Sequence, residues 1–131
     1  AGHAVPEARV YKGDFTFEAG VAGAEALLDL PEPPTAIMAS NDQMALGAVG
    51  VAQARGLSVP GDLSILSFDD TIGVRLSTPP LTAVRQPVAR MAETAADLLI
   101  KASAAGEKVI TGSTLVPFAL TVRASTGPAP R

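Results

Sequence analysis

Four residues whose side chains suit the binding of a small polar molecule follow short apolar segments of this chain. Phe15 offers an aromatic ring, Asp69 a carboxylate, and Asn41 and Gln86 offer carboxamides. A ring can cover the apolar face of a sugar while carboxylate and amide groups pair with its hydroxyls. If the preceding segments are parallel strands, the four residues share the sheet edge at which open α/β sheets bind ligands. The pattern favours a sugar site over a catalytic site.

Each of these residues also has an ordinary structural explanation. Phe15 fits a core position, because aromatic residues near strand ends pack inward more often than they stack on ligands. Asn41 fits a helix cap. Asp69 and Asp70 fit a turn at a strand exit, and Gln86 alone fits a solvated surface position. Their common position after consecutive predicted strands favours a ligand-binding role, but it does not identify the ligand.

Other kinds of chemistry find little support in the sequence. The 131 residues contain no cysteine, which excludes disulfides, thiolate zinc sites and cysteine nucleophiles. The single histidine, His3, falls in a predicted loop and has no predicted partner. No metal cluster, phosphate-binding loop or nucleophile elbow occurs. We therefore expect a protein that is not an enzyme, with no catalytic residue, metal or cofactor.

The composition indicates a soluble globular domain with one core. Apolar residues make up 47% of the chain and charged residues 18%, which excludes disorder apart from the last residues. No apolar stretch approaches the roughly 18 residues of a membrane span, and no secretory signal is visible. The net charge is −3 and the Lys and Arg residues are scattered. We therefore expect no membrane partner and no direct contact of this segment with DNA.

Alternating strand and helix signals predict an α/β fold with a mostly parallel sheet and helices on both faces. Strands are predicted at residues 9–12, 35–39, 63–68 and 81–85, with a final strand pair at 115–116 and 119–123. Helices are predicted from the N-cap Thr16 to Pro31, over 42–55 and over 87–105. A capping box of Ser40 and Gln43 and a left-handed stop at Gly56 delimit the second helix. The tail at 125–131 is expected to fray.

The predicted helix over 42–55 is apolar or small at almost every position. A helix that is hydrophobic all round is covered on both sides. One side is expected to meet the sheet, and the other to meet a two-fold partner helix in a homodimer. The predicted interface residues are Met44, Gly47, Ala48 and Val51. The alternative is burial of the whole helix within one lobe.

Several segments resemble, in order and spacing, the effector-binding domain of the lactose and purine repressor (LacI) family. The resemblance is closest in PTAIMASNDQMALGAVGVAQARGLSVPGDLSILSFDD at 34–70 and PPLTAVRQP at 79–87. GDFTFEAG at 13–20 and LTVRASTGP at 120–128 match further segments. The chain departs from the family at Ser67, where Gly is common, at Ala83, where Thr is common, and at Ala124, where an acid is common.

The resemblance implies a truncated lobe of the type I periplasmic-binding-protein-like fold, in which two lobes joined by three crossovers hold the effector. Residues 1–124 would form the C-terminal part of this domain. Phe15 then lies over the effector, and Asn41, Asp69 and Gln86 supply polar contacts. The family places the helix over 87–105 in the first lobe, so its apolar stripe would lack its usual cover. A rearranged or swapped oligomer follows as a hypothesis, which burial of the stripe within its own monomer would exclude.

The resemblance also implies a function. It suggests a cytoplasmic, homodimeric repressor whose affinity for operator DNA changes when a sugar or related metabolite binds. Operator DNA would be contacted only by an N-terminal helix-turn-helix that this chain lacks. The alternative is a periplasmic sugar-binding protein of an ABC transporter, which shares the PTAI and ASNDQMALG motifs. The VRQP and VRAST segments favour the repressor.

Overall fold

The computed structural model describes residues 4–106 and 112–130. His3 and the end of the tail at residue 131 lie outside the described residues. The elements, in chain order, are a short 3₁₀ helix at Glu7–Arg9, α1 at Phe17–Leu28, β1 at Ala36–Met38, α2 at Asp42–Ala54, β2 at Ser64–Asp69, α3 at Ile72–Leu76, β3 at Thr82–Arg85, α4 at Val88–Ala104 and β4 at Ala119–Thr121.

The strands of the described chain form one sheet in the order β1-β2-β3-β4. β2 pairs in parallel with both β1 and β3, and β4 pairs antiparallel with β3. The carboxyl ends of β1, β2 and β3 therefore lie at one edge of the sheet. The predicted α/β class with a mostly parallel sheet is confirmed.

One face of the sheet carries the hydrophobic core. Ile37, Ile65 and Ala83 come from three neighbouring strands, and all are buried. Helix α2 contacts β2, and α1 packs on α2. The core-forming side chains of α2 are small, which allows the helix to lie close to both neighbours: Ala45, Ala48, Val49, Val51 and Ala52.

Two glycines allow α1 and α2 to cross closely. A Cβ atom at Gly47 would lie 2.5 Å from the carbonyl oxygen of Phe17, and a Cβ atom at Gly20 would overlap the backbone of Met44. The small residues of α2 therefore serve a contact within the chain. Of the four residues predicted for the dimer interface, Gly47, Ala48 and Val51 are buried in their own chain, and Met44 is partly buried. The three buried residues fit the alternative of burial within one lobe, and the homodimer itself stays a prediction.

The helix boundaries follow from side-chain capping. Thr16 Oγ1 accepts a hydrogen bond from the backbone N–H of Ala19 at 3.1 Å, which confirms the predicted cap of α1. Asn41 caps α2, with Oδ1 accepting from the N–H of Met44 at 2.9 Å. The predicted capping box that begins at Ser40 is wrong, because Asn41 occupies the cap position. Gly56, with φ of +70°, follows the end of α2 as predicted.

Three features were predicted wrongly or missed. Residues 9–12 form no strand, since a 3₁₀ helix ends at Arg9 and no regular structure follows it. Residues 115–116 form no strand either, and β4 pairs with β3 instead. Helix α3 was not predicted, because its five residues are too few to show a helical period.

The start of the predicted frayed tail is part of the core. Ser125 is fully buried, and its hydroxyl accepts from the N–H of Thr82 at 2.8 Å and donates to the carbonyl of Ile65 at 2.5 Å. Gly127 donates its N–H to Ser64 Oγ at 3.1 Å. The serine thereby joins β2 to β3. Pro and Gly content predicted fraying, but hydrogen bonding holds residues 125–127 in place.

The other face of the sheet is open. Met38, Phe68 and Val84 line a groove of about 610 Å³, and α4 and residues 114–118 form the opposite wall. No residue of α4 is buried. Its large apolar side chains are between 37% and 66% exposed: Val88, Met91, Leu98, Leu99 and Ile100. Among the described residues, no helix has both the length and the apolar content to cross a membrane.

Candidate functional site

The carboxyl edge of the sheet brings the four predicted ligand residues together in two hydrogen-bonded pairs. Asn41 follows β1, and its Nδ2 donates to the carbonyl oxygen of Phe15 at 2.8 Å. Gln86 follows β3, and its Nε2 donates to Oδ1 of Asp69, the last residue of β2, at 2.6 Å. Because β1, β2 and β3 are parallel neighbours, both pairs lie at the same edge.

Phe15 is not a core residue. Its side chain belongs to the exposed large hydrophobic residues, at 63% exposure, and its φ of +68° is in the left-handed region. The core alternative for this residue is therefore wrong. An exposed ring at the sheet edge offers a flat apolar surface on which a ligand can stack.

Asn41 makes two hydrogen bonds within the chain, so only part of its carboxamide is available to a ligand. Its oxygen caps α2, and its amide nitrogen fixes the backbone of Phe15. A carboxamide has two N–H donors and an oxygen with two lone pairs, so one of each remains for another partner. The helix-cap explanation is confirmed, and the same contacts position the aromatic residue.

Asp69 and Gln86 form an ordered polar pair that is half-buried. Gln86 is therefore more than a solvated side chain. An ionised carboxylate has about four acceptor positions, and Gln86 uses one of them in this structure. The remaining acceptors suit the hydroxyl groups of a ligand. The arrangement can bind and orient a polar molecule.

Backbone strain is concentrated at this edge. Among the described residues, the non-glycine residues with positive φ are Phe15 at 68°, Asp69 at 111° and Asp70 at 65°. Such conformations cost about 1–3 kcal/mol each and persist only where the surroundings enforce them, which is common at ligand sites. Sequence reasoning missed this feature because none of the three residues is a glycine.

Asp70, expected as a simple turn residue, is a buried ion-pair centre. Its side chain is fully buried, with Arg85 Nε 2.5 Å from Oδ2 and Arg123 Nη2 2.6 Å from Oδ1. Burial raises the pKa of Asp70, but hydrogen bonds and charge from Arg85 and Arg123 outweigh it and leave the pKa below its ordinary value. A carboxylate with a depressed pKa stabilises the fold at neutral pH and loses that contribution as the pH falls through the folded-state pKa.

Asp42 forms a second buried polar centre beside the first. It is 3% exposed, its Oδ2 accepts from the N–H of Thr71 at 2.5 Å, and the Ser67 hydroxyl donates to Oδ1. Ser67 is in register with Ala83 on β3, so two of the departures from the LacI pattern are neighbours in the sheet. Within the described residues, no group of His, Asp and Glu is arranged to hold a metal ion.

Comparison with known proteins identifies the class. A family model described as a periplasmic binding protein-like domain matches residues 1–126. The HTH-type transcriptional repressor CytR of Escherichia coli (strain K12) is 44% identical over 117 residues, covering 89% of this chain and 34% of the relative. The chain spans about a third of the length of the curated relatives that it matches.

Two solved structures have the same fold. The complex of the transcriptional regulator CelR with cellobiose has a TM-score of 0.78 and 36% identity, covering 86% of this chain and 34% of that chain. A dimeric Lac repressor with an 11-residue C-terminal deletion has a TM-score of 0.80 and 34% identity, covering 91% and 43%.

These matches define a periplasmic-binding-protein-like domain of a regulator. The chain therefore belongs to the LacI family of transcriptional regulators and corresponds to part of their effector-binding domain. The relatives are repressors, so the comparisons favour the regulator over the transport protein and a binding role over catalysis.

Proposed function

We propose that this chain is the effector-binding and dimerisation module of a LacI-type regulator and that its effector is a sugar or a related polyhydroxylated metabolite. The observation that carries the proposal is the Asp69–Gln86 pair at the same sheet edge as the exposed ring of Phe15. The pair offers acceptors to hydroxyl groups, and the ring offers an apolar surface. The cellobiose complex of CelR supports a sugar.

In the whole protein, the effector would bind between two lobes and shift the balance between two arrangements that differ in DNA affinity. The effector must then bind the two arrangements with different affinity, with a coupling of typically about 1–3 kcal/mol. Operator DNA would be contacted by a helix-turn-helix outside this chain, in the cytoplasm. The DNA sequence upstream of the Ala1 codon separates this proposal from transport: a helix-turn-helix supports the regulator, and a signal peptide supports the transport protein.

Titration calorimetry of the full-length protein tests the site. Cellobiose is the first probe, followed by a panel of mono- and disaccharides. Asp69→Asn removes a charged acceptor, which is worth about 1.5–3 kcal/mol, so the affinity should fall by about 10- to 150-fold. Asp29→Asn is the control, because this exposed carboxylate pairs with Arg55 away from the site. Unchanged affinity in a folded Asp69→Asn protein would remove Asp69 from the site, and a panel without any ligand would reject the sugar class.

Dimerisation is proposed through a patch formed by Leu46, Ile72 and Leu76. Ile72 and Leu76 lie one helical turn apart on α3 and are 66% and 76% exposed. Leu46 on α2 adjoins Gly73, where a Cβ atom would lie 3.5 Å from Leu46 Cδ1. Leu46 is itself partly buried, so the exposed part of the patch is formed by Ile72 and Leu76. Exposed apolar residues that adjoin one another are typical of an interaction site. The patch lies beside the buried residues of α2 first predicted for the interface.

Sedimentation velocity tests this dimer. An aspartate at position 76 places a charge in the patch, so Leu76→Asp should weaken self-association at least tenfold. Val10→Asp adds the same charge at a residue that is 63% exposed and distant in sequence from the patch, and it should leave association unchanged. Dimers that persist in Leu76→Asp but dissociate in Val10→Asp would place the interface elsewhere.

The exposed stripe of α4 is proposed to pack against the first lobe of the whole protein. The relatives are about three times as long as the matched segment, so a whole protein of that length would have enough chain to cover it. In this chain alone the stripe is exposed, and the hypothesis of a rearranged or swapped oligomer therefore remains a prediction.

A further inference from the structure

The turn that follows β2 adopts a conformation that its own residues disfavour. Asp69 and Asp70 are consecutive non-glycine residues with φ of 111° and 65°. Such residues cost about 1–3 kcal/mol each unless neighbouring groups enforce the conformation. The groups that hold this turn therefore determine where the Asp69 carboxylate points.

Two sets of contacts hold the turn. The first set, called the first anchor, consists of the arginines that contact the side chain and the backbone carbonyl of Asp70. Three guanidinium groups surround the buried carboxylate, with Arg75 Nε 3.5 Å from Oδ1 in addition to Arg85 and Arg123. Arg75 also donates to the carbonyl oxygen of Asp70, from Nη2 at 2.7 Å and from Nε at 3.1 Å. A residue held at its carboxylate and at its carbonyl cannot rotate freely about either backbone bond.

The second set of contacts, called the second anchor, is formed by Asp42 and holds the backbone N–H of Thr71. The N–H of Thr71 donates to Asp42 Oδ2 at 2.5 Å, and Asp42 is itself fixed at the start of α2 and by the Ser67 hydroxyl. Thr71 is the residue that follows Asp70. The two anchors thus fix consecutive residues on the carboxyl side of Asp69.

The first anchor also links β2, which ends at Asp69, and β3, which Gln86 follows. Asp70 is adjacent to Asp69, and Arg85 is adjacent to Gln86. The Asp70–Arg85 ion pair and the Asp69–Gln86 hydrogen bond are therefore neighbouring links between the ends of β2 and β3. Loss of the ion pair should loosen the hydrogen bond, because the same two chain segments carry both.

We propose that Asp70, with Arg85, and Asp42 are positioning residues that hold the 69–71 turn so that the Asp69 carboxylate meets Gln86 at the open sheet edge. The importance of this orientation for effector binding rests on the function proposed above. Three cations around one carboxylate exceed the number that neutralises it, and Arg75 and Arg85 have side chains 44% and 48% exposed. Neutralising the charge of Asp70 would need only one arginine. Three arginines that contact Asp70 from different directions also restrict the conformation of the turn.

Side-chain amide NMR tests the proposal without a ligand. The chain has three glutamines and one asparagine, so the amide groups of Gln43, Gln53, Gln86 and Asn41 can be assigned by substitution. Gln86 bound to a carboxylate should show a shifted amide pair. Gln53, whose Nε2 donates to the Thr78 carbonyl at 2.9 Å, is the internal control.

Asp70→Asn and Arg85→Met should each reduce the shift of Gln86 while Gln53 remains unchanged, and Arg85→Lys should restore most of it. Arg85→Met decides the matter if Asp70→Asn fails to fold, since Arg85 is half-exposed. A Gln86 signal that stays at the wild-type position in folded Arg85→Met overturns the proposal. A Gln86 signal that responds as expected, combined with an effector affinity that Asp69→Asn does not change, would uphold the positioning and reject the proposed ligand site.

Discussion

Helices α2 and α4 are both rich in apolar residues, but they lie in opposite environments. In α2, seven of the 13 residues are buried, and the helix contacts both α1 and β2. In α4, none of the 17 residues is buried, although its apolar stripe is clearly separated from its charged face. An amphipathic pattern therefore identifies the face of a helix that is suited to burial. It does not show that the residues that bury this face belong to the same chain.

The difference has a physical cause in the side chains at the contacts. Helix α2 meets α1 at glycines, so the two backbones approach until a single added Cβ would overlap. Helix α4 borders a groove across the open face of the sheet, where Met38 remains 64% exposed. Stability should therefore respond strongly to changes in α2 and weakly to the same changes in α4.

The largest effect is expected at the helix crossing. Gly47→Ala places a Cβ atom 2.5 Å from the Phe17 carbonyl oxygen and should destabilise the fold by about 3 kcal/mol. Gly50→Ala is the matched control, because the nearest atom to its Cβ is Phe17 Cζ at 4.0 Å, and it should stabilise by about 0.5–1 kcal/mol. Urea unfolding measures both. Equal effects in the two variants would contradict the close crossing.

A smaller loss is expected where α2 is anchored by polar groups. Ser67→Ala removes a hydroxyl that donates to the buried Asp42 and should cost about 1.5–3 kcal/mol. Ser103→Ala makes the same change on the exposed surface of α4 and should alter stability by at most about 0.5 kcal/mol, in the stabilising direction. Thermal unfolding of both variants compares the helices directly. A neutral Ser67→Ala would show that Asp42 finds another donor.

The smallest difference is expected from shortening one aliphatic side chain in each helix. Val51 is 6% exposed and Val88 is 65% exposed. Val51→Ala should destabilise by about 1.5 kcal/mol, from two lost methyl groups, whereas Val88→Ala should change stability by less than about 0.5 kcal/mol. Chemical denaturation again provides the measurement. A loss at Val88 as large as the loss at Val51 would indicate that another copy of the chain already covers α4 in solution.

Much of the fold follows from local signals. The caps at Thr16 and Asn41 and the stop at Gly56 use short-range hydrogen bonds and backbone preferences that each short segment carries. The predicted strand at 9–12 failed because a short apolar run does not specify a neighbour. The sequence predicts a frayed tail at Ser125 because its partners, Thr82 and Ile65, are 43 and 60 residues away in sequence.

The candidate site divides in the same way. Sequence position found Asn41, Asp69 and Gln86, since residues after parallel strands must lie at one edge. Phe15 was found on the expectation of a strand at 9–12 that does not form, and it is linked to this edge by the hydrogen bond from Asn41 to its carbonyl oxygen. Sequence position did not reveal the pairing of Asp69 with Gln86, which joins residues 17 positions apart. It also missed the role of Asp70. An aspartate after a strand is typical of a turn, and its partners Arg85 and Arg123 are distant in sequence.

The sequence by itself determined the α/β class, the approximate limits of the three long helices and the residues that follow β1, β2 and β3, because hydrophobic periodicity and helix capping are local properties. Only the tertiary structure decided that α2 is enclosed by its own chain and that α4 is not. It also decided that two buried carboxylates fix the turn carrying Asp69. These features depend on which distant groups come within contact distance, and burial then makes each unpaired charge too costly to leave without a partner.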